Sequence, residues 1–100
     1  MPKARIAPAV RADIRSIRIY SKAAFGSDAA RAYLLGLRDV FVRLGEFPDA
    51  GVREADLGDS VRSYGYRSHR VYYRRDGDGV LIIRILHHTR DVPRAIEGGA

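Results

Sequence analysis

The chain contains 100 residues, carries a net charge of +6 and has no cysteine. This length suits a single domain over residues 1–100, with a core large enough to need neither metal nor disulfide support. The absence of cysteine excludes disulfide bonds and thiolate metal sites, and no apolar run approaches the ~20 residues of a membrane-spanning helix. The basic N-terminus lacks the apolar segment of a secretory signal, so we expect a cytoplasmic protein.

The N-terminal region predicts a short strand followed by a helix. Residues 3–7 alternate apolar and polar side chains, as a strand does. Pro8 suits the first turn of a helix, where its missing N–H is no loss. Up to about Ala24, apolar residues then recur at helical spacing, at Val10, Ile14 and Ile17.

A second helix follows after a short break at residues 25–28. Its apolar stripe is continuous and consists of Ala30, Leu34, Leu37, Phe41 and Leu44. Gly45 and Pro48 end it. Because the break is short, the two helices are expected to form an antiparallel hairpin.

The second half predicts three strands after a turn-rich connector at residues 46–60. The strands are Val61–Arg67, His69–Arg75 and Val80–Leu86. The sequence DGDG at residues 76–79 joins the last two as a tight hairpin. The element order is therefore β-α-α-β-β-β, an α+β fold in which the helical hairpin covers one face of a mostly antiparallel sheet.

Arginine dominates the charge and is concentrated in the predicted sheet. Sixteen of the eighteen basic residues are arginine, and residues 61–75 contain five arginines and no acidic residue. A basic field of this kind favours an anionic partner, either nucleic acid or an acidic protein segment. The alternative interpretation is a solvated arginine-rich surface.

Strand alternation predicts which side chains share a face. In the last strand, Leu81, Ile83 and Ile85 are expected to meet the helices, and His87 continues that face. The opposite face receives Val80, Ile82, Arg84, Leu86 and His88. With the preceding strand, this arrangement places four residues together on an open, cationic surface: Arg70, Tyr72, Arg74 and Arg84. Such a surface could hold RNA by phosphate contacts and stacking, or an acidic or amphipathic peptide.

The two adjacent histidines raise the question of catalysis. Alternation sends His87 and His88 to opposite faces, so only His88 is expected beside Arg84. One proton-transfer group and one phosphate stabiliser form a minimal set for RNA cleavage. The alternative is structural, with one histidine at the edge of the core and Asp91 paired with a nearby arginine. No second group of ligands at metal-binding spacing accompanies the histidines, so we expect no metal and no cofactor.

Three segments together resemble the ParE toxins of the ParE/RelE superfamily, from bacterial type II toxin–antitoxin modules. They are APAVRADIRSIRIYS at residues 7–21, RLGEFPDAG at residues 43–51, and VRSYGYRSHRVYYRRDGDGVLIIRILHHTRD at residues 61–91. The resemblance covers about Lys3 to Ile96. It implies a small cytoplasmic toxin that poisons DNA gyrase by binding, blocks replication and is not a nuclease. It also implies a hetero-oligomer with a ParD-like antitoxin, and no sequence-specific DNA binding by the toxin alone.

The RelE relatives implied by the same resemblance cut messenger RNA in the ribosome, so that activity is the alternative function. Arg70, Arg74 and Arg84 could serve as phosphate-binding arginines, but the lysines of that catalytic set are missing from the sheet. Whether the chain is an enzyme therefore stays open, with His88 and Arg84 as the catalytic candidates. A domain that has lost activity and only binds its partner is a third possibility. The residues expected to contact partners are Arg70, Tyr72, Arg74, Arg84, His87, His88, Arg90 and Asp91.

Overall fold

The computed structural model describes residues 3–58 and 60–89. Two helices are present, α1 (Pro8–Phe25) and α2 (Ser27–Glu46). The strands are β1 (Ala4–Ile6), β2 (Val52–Arg53), β3 (Val61–Tyr66), β4 (His69–Asp76) and β5 (Gly79–His87), with a short 3₁₀ turn at Ala55–Leu57. The predicted α+β class is confirmed. The connector at residues 46–60 differs from the prediction, because it contains β2 as a further strand. Arg90, Asp91 and the apolar residues of the C-terminal tail lie outside the described residues.

The helical hairpin forms where the sequence predicts it. Pro8 occupies the start of α1, after an extended Ala7. Gly26 has a φ of 92°, and its N–H bonds to the carbonyl of Lys22 at 3.0 Å, so α1 ends and α2 begins within one residue. Ser21 and Val40 are buried beside the predicted stripes, which supply most of the buried helical side chains: Val10, Ile17, Ala30, Leu37 and Leu44. Neither helix is long and apolar enough to cross a membrane, as judged over the described part of the chain.

The five strands form one mixed sheet in the order β1-β5-β4-β3-β2. β1 pairs parallel with β5, and the other neighbours pair antiparallel. The helices cover one face, and the main core lies between them and β4 and β5. It contains Val10, Ile17, Leu37, Leu44, Val71, Tyr73, Val80, Ile82 and Ile85.

A β-bulge in β5 changes the expected facing of that strand. Tyr72 pairs with Arg84 while the adjacent Tyr73 pairs with Ile82, so Ile83 is left without a cross-strand partner. The extra residue shifts the alternation by one position. Ile85 therefore faces the helices as predicted. For residues 80–83, the predicted face of each side chain was wrong.

The consequence of the bulge is visible in the burial of the strand. Val80 and Ile82 were expected on the open face, yet they are 1% and 0% exposed within the core under the helices. Leu81 and Ile83 were expected to meet the helices and instead point the other way. Ile83 packs there against a second apolar cluster of Val61, Tyr72 and Leu86.

Candidate functional site

The register brings three of the predicted open-face residues together, but Tyr72 and Arg84 are not freely accessible. Tyr72 pairs with Arg84, and Arg70 pairs with Leu86, so their side chains leave the sheet on the same face. Tyr72 is only 4% exposed, because it packs against Val61 and Leu86. Burial also raises the pKa of the Tyr72 hydroxyl. The expectation that Tyr72 presents a free ring for stacking is therefore wrong.

Arg70 is held in place by a short chain of hydrogen bonds. Its Nε donates to Oγ of Ser63 at 3.1 Å, and the Ser63 hydroxyl donates to Oε2 of Glu54 at 2.5 Å. Ser63 is fully buried. Glu54 thus anchors the arginine through the serine and places a negative charge beside it. Arg74, in contrast, is exposed.

Arg84 is directed to the first helix. Its Nε donates to Oδ2 of Asp13 at 2.9 Å, and its Nη2 donates to Oδ1 at 3.0 Å. This hydrogen bonding raises the pKa of Arg84. Both side chains are largely buried, 15% exposed for Arg84 and 10% for Asp13. The expectation of Arg84 as an exposed phosphate ligand on a free surface was wrong, because its bidentate partner lies on α1.

The histidines form a contiguous cluster at the other end of β4 and β5. His69 pairs with His87 across the two strands, and their ring centroids are 5.5 Å apart. The His87 and His88 centroids are 4.4 Å apart. The prediction that His87 and His88 point to opposite faces was wrong, because β5 ends at His87 and the chain turns there. In that turn the His88 N–H donates to the carbonyl of Ser68 at 3.0 Å.

His69 was missed by the sequence reasoning. Counting outward from the DGDG turn would have placed it opposite Leu86, and the bulge at Ile83 shifts the register by one residue so that its partner is His87. Its Nδ1 lies 2.6 Å from the hydroxyl of Tyr33 on α2. Burial lowers the pKa of His69, and the neighbouring His87 and His88 lower it further. At neutral pH the His69 ring is therefore uncharged and hydrogen-bonded to a tyrosine.

A cavity of about 470 Å³ opens beside this cluster. Helix α1 contributes two exposed aromatic rings, Tyr20 and Phe25, which are 66% and 69% exposed. The remaining lining residues are mostly hydroxyl-bearing or imidazole side chains: Ser16, Ser21, Tyr33, Ser68, His69 and His87. An aromatic cavity with several hydrogen-bonding groups suits a partner's side chain or a small ligand. Within residues 3–58 and 60–89, no three metal-ligating side chains converge.

The arrangement of two helices on a mixed five-stranded sheet has a counterpart among solved structures. A solved structure described as the chromosomal ParDE TA system from P. aeruginosa superimposes with a TM-score of 0.72 and 16% identity, covering 84% of this chain and 92% of that one. At this identity the superposition shows the fold alone.

Sequence comparison gives the family. Toxin ParE1 of Mycobacterium tuberculosis is 29% identical over 90 residues, 89% of this chain and 92% of its own length. Toxin ParE1 of Caulobacter vibrioides is 32% identical over 85 residues, 85% and 88% of the two chains. Toxin ParE3 of the same organism is 38% identical over 61 residues, 61% of each chain. The family model described as the ParE toxin of the type II toxin-antitoxin system parDE matches residues 4–92. The chain belongs to the ParE toxin family.

Proposed function

We propose that this toxin arrests growth by binding DNA gyrase in the cytoplasm and that a ParD-like antitoxin neutralises it in a hetero-oligomeric complex. The observation that carries the proposal is the match to the ParE family over residues 4–92. The matched region includes both helices and all five strands. Any of these elements that contacts gyrase therefore belongs to the part of the chain that matches the family.

The geometry of the sheet supports a binding function over RNA cleavage. Catalysis would require arginine donors aimed at the position of a scissile phosphate. Arg84 is bound bidentately by Asp13, and Arg70 is held by Ser63. A rigid, pre-arranged surface of this kind suits recognition of another protein, since ordering it on binding costs little entropy.

The target is tested with purified toxin, DNA gyrase and relaxed plasmid. We expect the toxin to inhibit supercoiling and to trap cleaved DNA. The matched control is the same toxin preincubated with its antitoxin, which should leave gyrase active. Normal supercoiling and no cleaved DNA at a large excess of free toxin would refute gyrase as the target.

Messenger RNA cleavage is the second candidate function, and the histidine cluster is the observation that favours it. His69 and His87 lie side by side next to the cavity, with the Tyr33 hydroxyl on His69. Two imidazoles can act as general base and general acid in RNA cleavage. Growth arrest should then be lost in the His69→Gln and His87→Gln variants and kept in Arg75→Gln, an exposed residue at the opposite end of β4. Retained toxicity of both His69→Gln and His87→Gln would eliminate this mechanism.

The antitoxin is expected to present acidic or amphipathic segments to the basic toxin. Arg74, His87 and His88 are exposed and so remain accessible among the predicted partner residues. Opposite charges accelerate association, and the acceleration is screened by salt. Stopped-flow mixing with antitoxin should show an association rate that falls as salt rises, and Arg74→Glu should be slower than Arg38→Glu, an equal charge change on α2. A rate independent of salt would contradict the electrostatic part.

A further inference from the structure

A small pocket lies at the end of β4 that is remote from the histidine cluster. It has a volume of about 180 Å³ and is formed by the connector after α2 together with β2, β3 and β4. It shares no lining residue with the cavity beside His69. Its lining residues are Pro48, Asp49, Arg53, Ser60, Arg62 and Arg75. We refer to this pocket as the arginine pocket.

The strand register brings the three arginines of the pocket to one face of the sheet. Arg53 in β2 pairs directly with Arg62 in β3, and Arg62 pairs with Tyr73 in β4. Arg75 follows two residues after Tyr73, so its side chain leaves β4 on the same face. Tyr73 belongs to the core under the helices. The arginine pocket therefore opens on the helix-covered face of the sheet, the opposite face from Arg74.

Arg62 is already held in position at the base of the pocket. Its Nη1 donates to the carbonyl of Gly51 at 2.9 Å, and its side chain is 28% exposed. Gly51 is fixed in turn, because its N–H donates to the buried hydroxyl of Tyr73 at 2.8 Å. Nη2 of Arg62 lies 3.6 Å from Oδ1 of Asp49, which is longer than a hydrogen bond. Arg62 is thus oriented by the backbone, and most of its N–H donors remain available to a ligand.

The charge balance of the pocket is positive. Three guanidinium groups and a single carboxylate, that of Asp49, line it. Like charges directly opposite each other on neighbouring strands repel, and Arg53 stands opposite Arg62. Within residues 3–58 and 60–89, the exposed Arg75 side chain forms neither an ion pair nor a hydrogen bond. An anion in the pocket would reduce the repulsion and accept hydrogen bonds from the arginines.

The size of the pocket and the number of its donors narrow the class of anion. Its 180 Å³ is below the roughly 300–1,000 Å³ of sites that enclose a whole drug-sized ligand. It therefore suits one compact charged group. A terminal phosphate carries a charge of about −1.5 to −2 and three acceptor oxygens, which matches three guanidinium forks. A carboxylate has one charge and two oxygens, and a phosphodiester has one charge and substituents on two sides.

We propose that the arginine pocket binds a dianionic phosphate group, either inorganic phosphate or the terminal phosphate of a monoester. Arg62 supplies the fixed donors, Arg53 and Arg75 contact the phosphate from the neighbouring strands, and the hydroxyl of Ser60 donates a further hydrogen bond. The binding chemistry does not rest on the proposed function. Because the pocket is separate from the histidine cluster, its variants are expected to keep growth arrest.

The test is isothermal titration calorimetry of the purified chain in a chloride buffer of constant ionic strength. The ligands are inorganic phosphate, adenosine monophosphate and cyclic adenosine monophosphate. The cyclic compound is the matched control, because it has the same base and sugar but a singly charged diester. We expect it to bind at least about tenfold more weakly than the tighter of the other two. Binding of inorganic phosphate alone would support the site with free phosphate as its ligand, and binding of adenosine monophosphate would extend it to monoesters.

Matched variants locate the binding in the pocket. Arg75→Gln should weaken phosphate binding at least about tenfold, and this side chain has no contact within the described residues whose loss would disturb the fold. Arg74→Gln is the control, because Arg74 is the neighbouring residue, is also exposed and lies on the opposite face. Arg62→Lys keeps the charge without the planar fork, so it should bind more weakly than the wild type and more tightly than Arg62→Gln.

Several results would overturn the proposal. One is the absence of a binding signal for both phosphate and adenosine monophosphate at millimolar concentration. Another is equal affinity for the monoester and its cyclic diester. A third is equal weakening by Arg75→Gln and Arg74→Gln in variants with unchanged circular dichroism. Arg75-dependent binding of a short DNA duplex that is tighter than phosphate binding would assign the pocket to a nucleic-acid backbone instead. None of these outcomes depends on gyrase being the target, so the two proposals fail separately.

Discussion

The carboxylate of Asp13 in α1 binds both the guanidinium of Arg84 and the backbone N–H of Ile85 in β5. The Ile85 N–H lies 2.9 Å from Oδ2, the same oxygen that accepts from Arg84 Nε. β1 pairs with β5 only up to Ile82, so within residues 3–58 and 60–89 the edge of β5 beyond Ile82 has no strand partner on that side. Asp13 accepts the hydrogen bond of the Ile85 N–H at this edge and so connects the helical hairpin to the sheet.

Replacing Asp13 by asparagine should therefore destabilise the protein strongly. The change removes the negative charge that binds Arg84 Nε and Nη2 in a largely buried position, and breaking such a pair by removing one partner costs about 3 kcal/mol. Urea denaturation followed by circular dichroism measures the loss. Asp49→Asn removes the partner of Arg62 in an exposed pair 3.6 Å apart, with Asp49 76% exposed, and should cost under about 1 kcal/mol. Equal losses in the two variants would show that the Asp13–Arg84 contact does not stabilise the fold.

The hydroxyl of Tyr73 anchors the connector that follows α2. It donates to the carbonyl of Pro48 and accepts from the N–H of Gly51, both at 2.8 Å, and the tyrosine is 1% exposed. Tyr73→Phe leaves these backbone groups without their partner, which should lower the free energy of unfolding by about 2 kcal/mol. Tyr20→Phe, at an exposed ring, should change it by less than about 0.5 kcal/mol. A neutral Tyr73→Phe variant would mean that water replaces the hydroxyl at no cost.

Acid should destabilise the protein through His69. Its pKa is lower in the folded chain than the ordinary value of 6.5, so the unfolded chain binds the proton more readily. Stability is therefore complete above about pH 6.5 and falls as the pH drops through that value toward the folded pKa. The urea concentration at the midpoint of unfolding should decrease as the pH is lowered from about 8 to about 5. It should decrease less for the His69→Gln variant than for the wild type. His88→Gln should keep most of the decrease, because burial is the largest cause of the lowered pKa of His69 and His88 is a smaller one. Identical acid profiles for wild type and His69→Gln would contradict the assignment.

The side chain of Tyr66 packs directly against Gly36 in α2. The Tyr66 hydroxyl donates to the carbonyl of Tyr33 at 2.8 Å. A β-carbon added to Gly36 would lie only 2.1 Å from the oxygen of this hydroxyl. Gly36→Ala should destabilise the protein, because the ring must leave and its hydrogen bond is lost. In a Tyr66→Ala background, the same change should stabilise by about 1 kcal/mol through helix propensity. A thermal-denaturation cycle of the four proteins measures the coupling, and additive effects would refute the contact.

The helices and the main strands could be predicted from the sequence, because their signals are local. The apolar stripe from Ala30 to Leu44 repeats at helical spacing, and the DGDG turn defines a hairpin without reference to the rest of the chain. The resemblance to ParE toxins was equally accessible, since the segments that carry it run through both helices and the sheet. The family and the α+β fold were therefore determined by the chain alone.

Three features were decided by tertiary structure. β2 contains only Val52 and Arg53, too few residues for a periodic signal, and exists because it pairs with β3. The bulge at Ile83 reverses the facing of half of β5, and no local pattern marks it. The candidate site differs from the prediction because its contacts join residues that are distant in the sequence. Asp13 binds Arg84, 71 positions away, and His69 contacts His87 across a hairpin. Sequence periodicity reports which side chains are apolar, whereas the partner of each polar side chain depends on where distant segments pack.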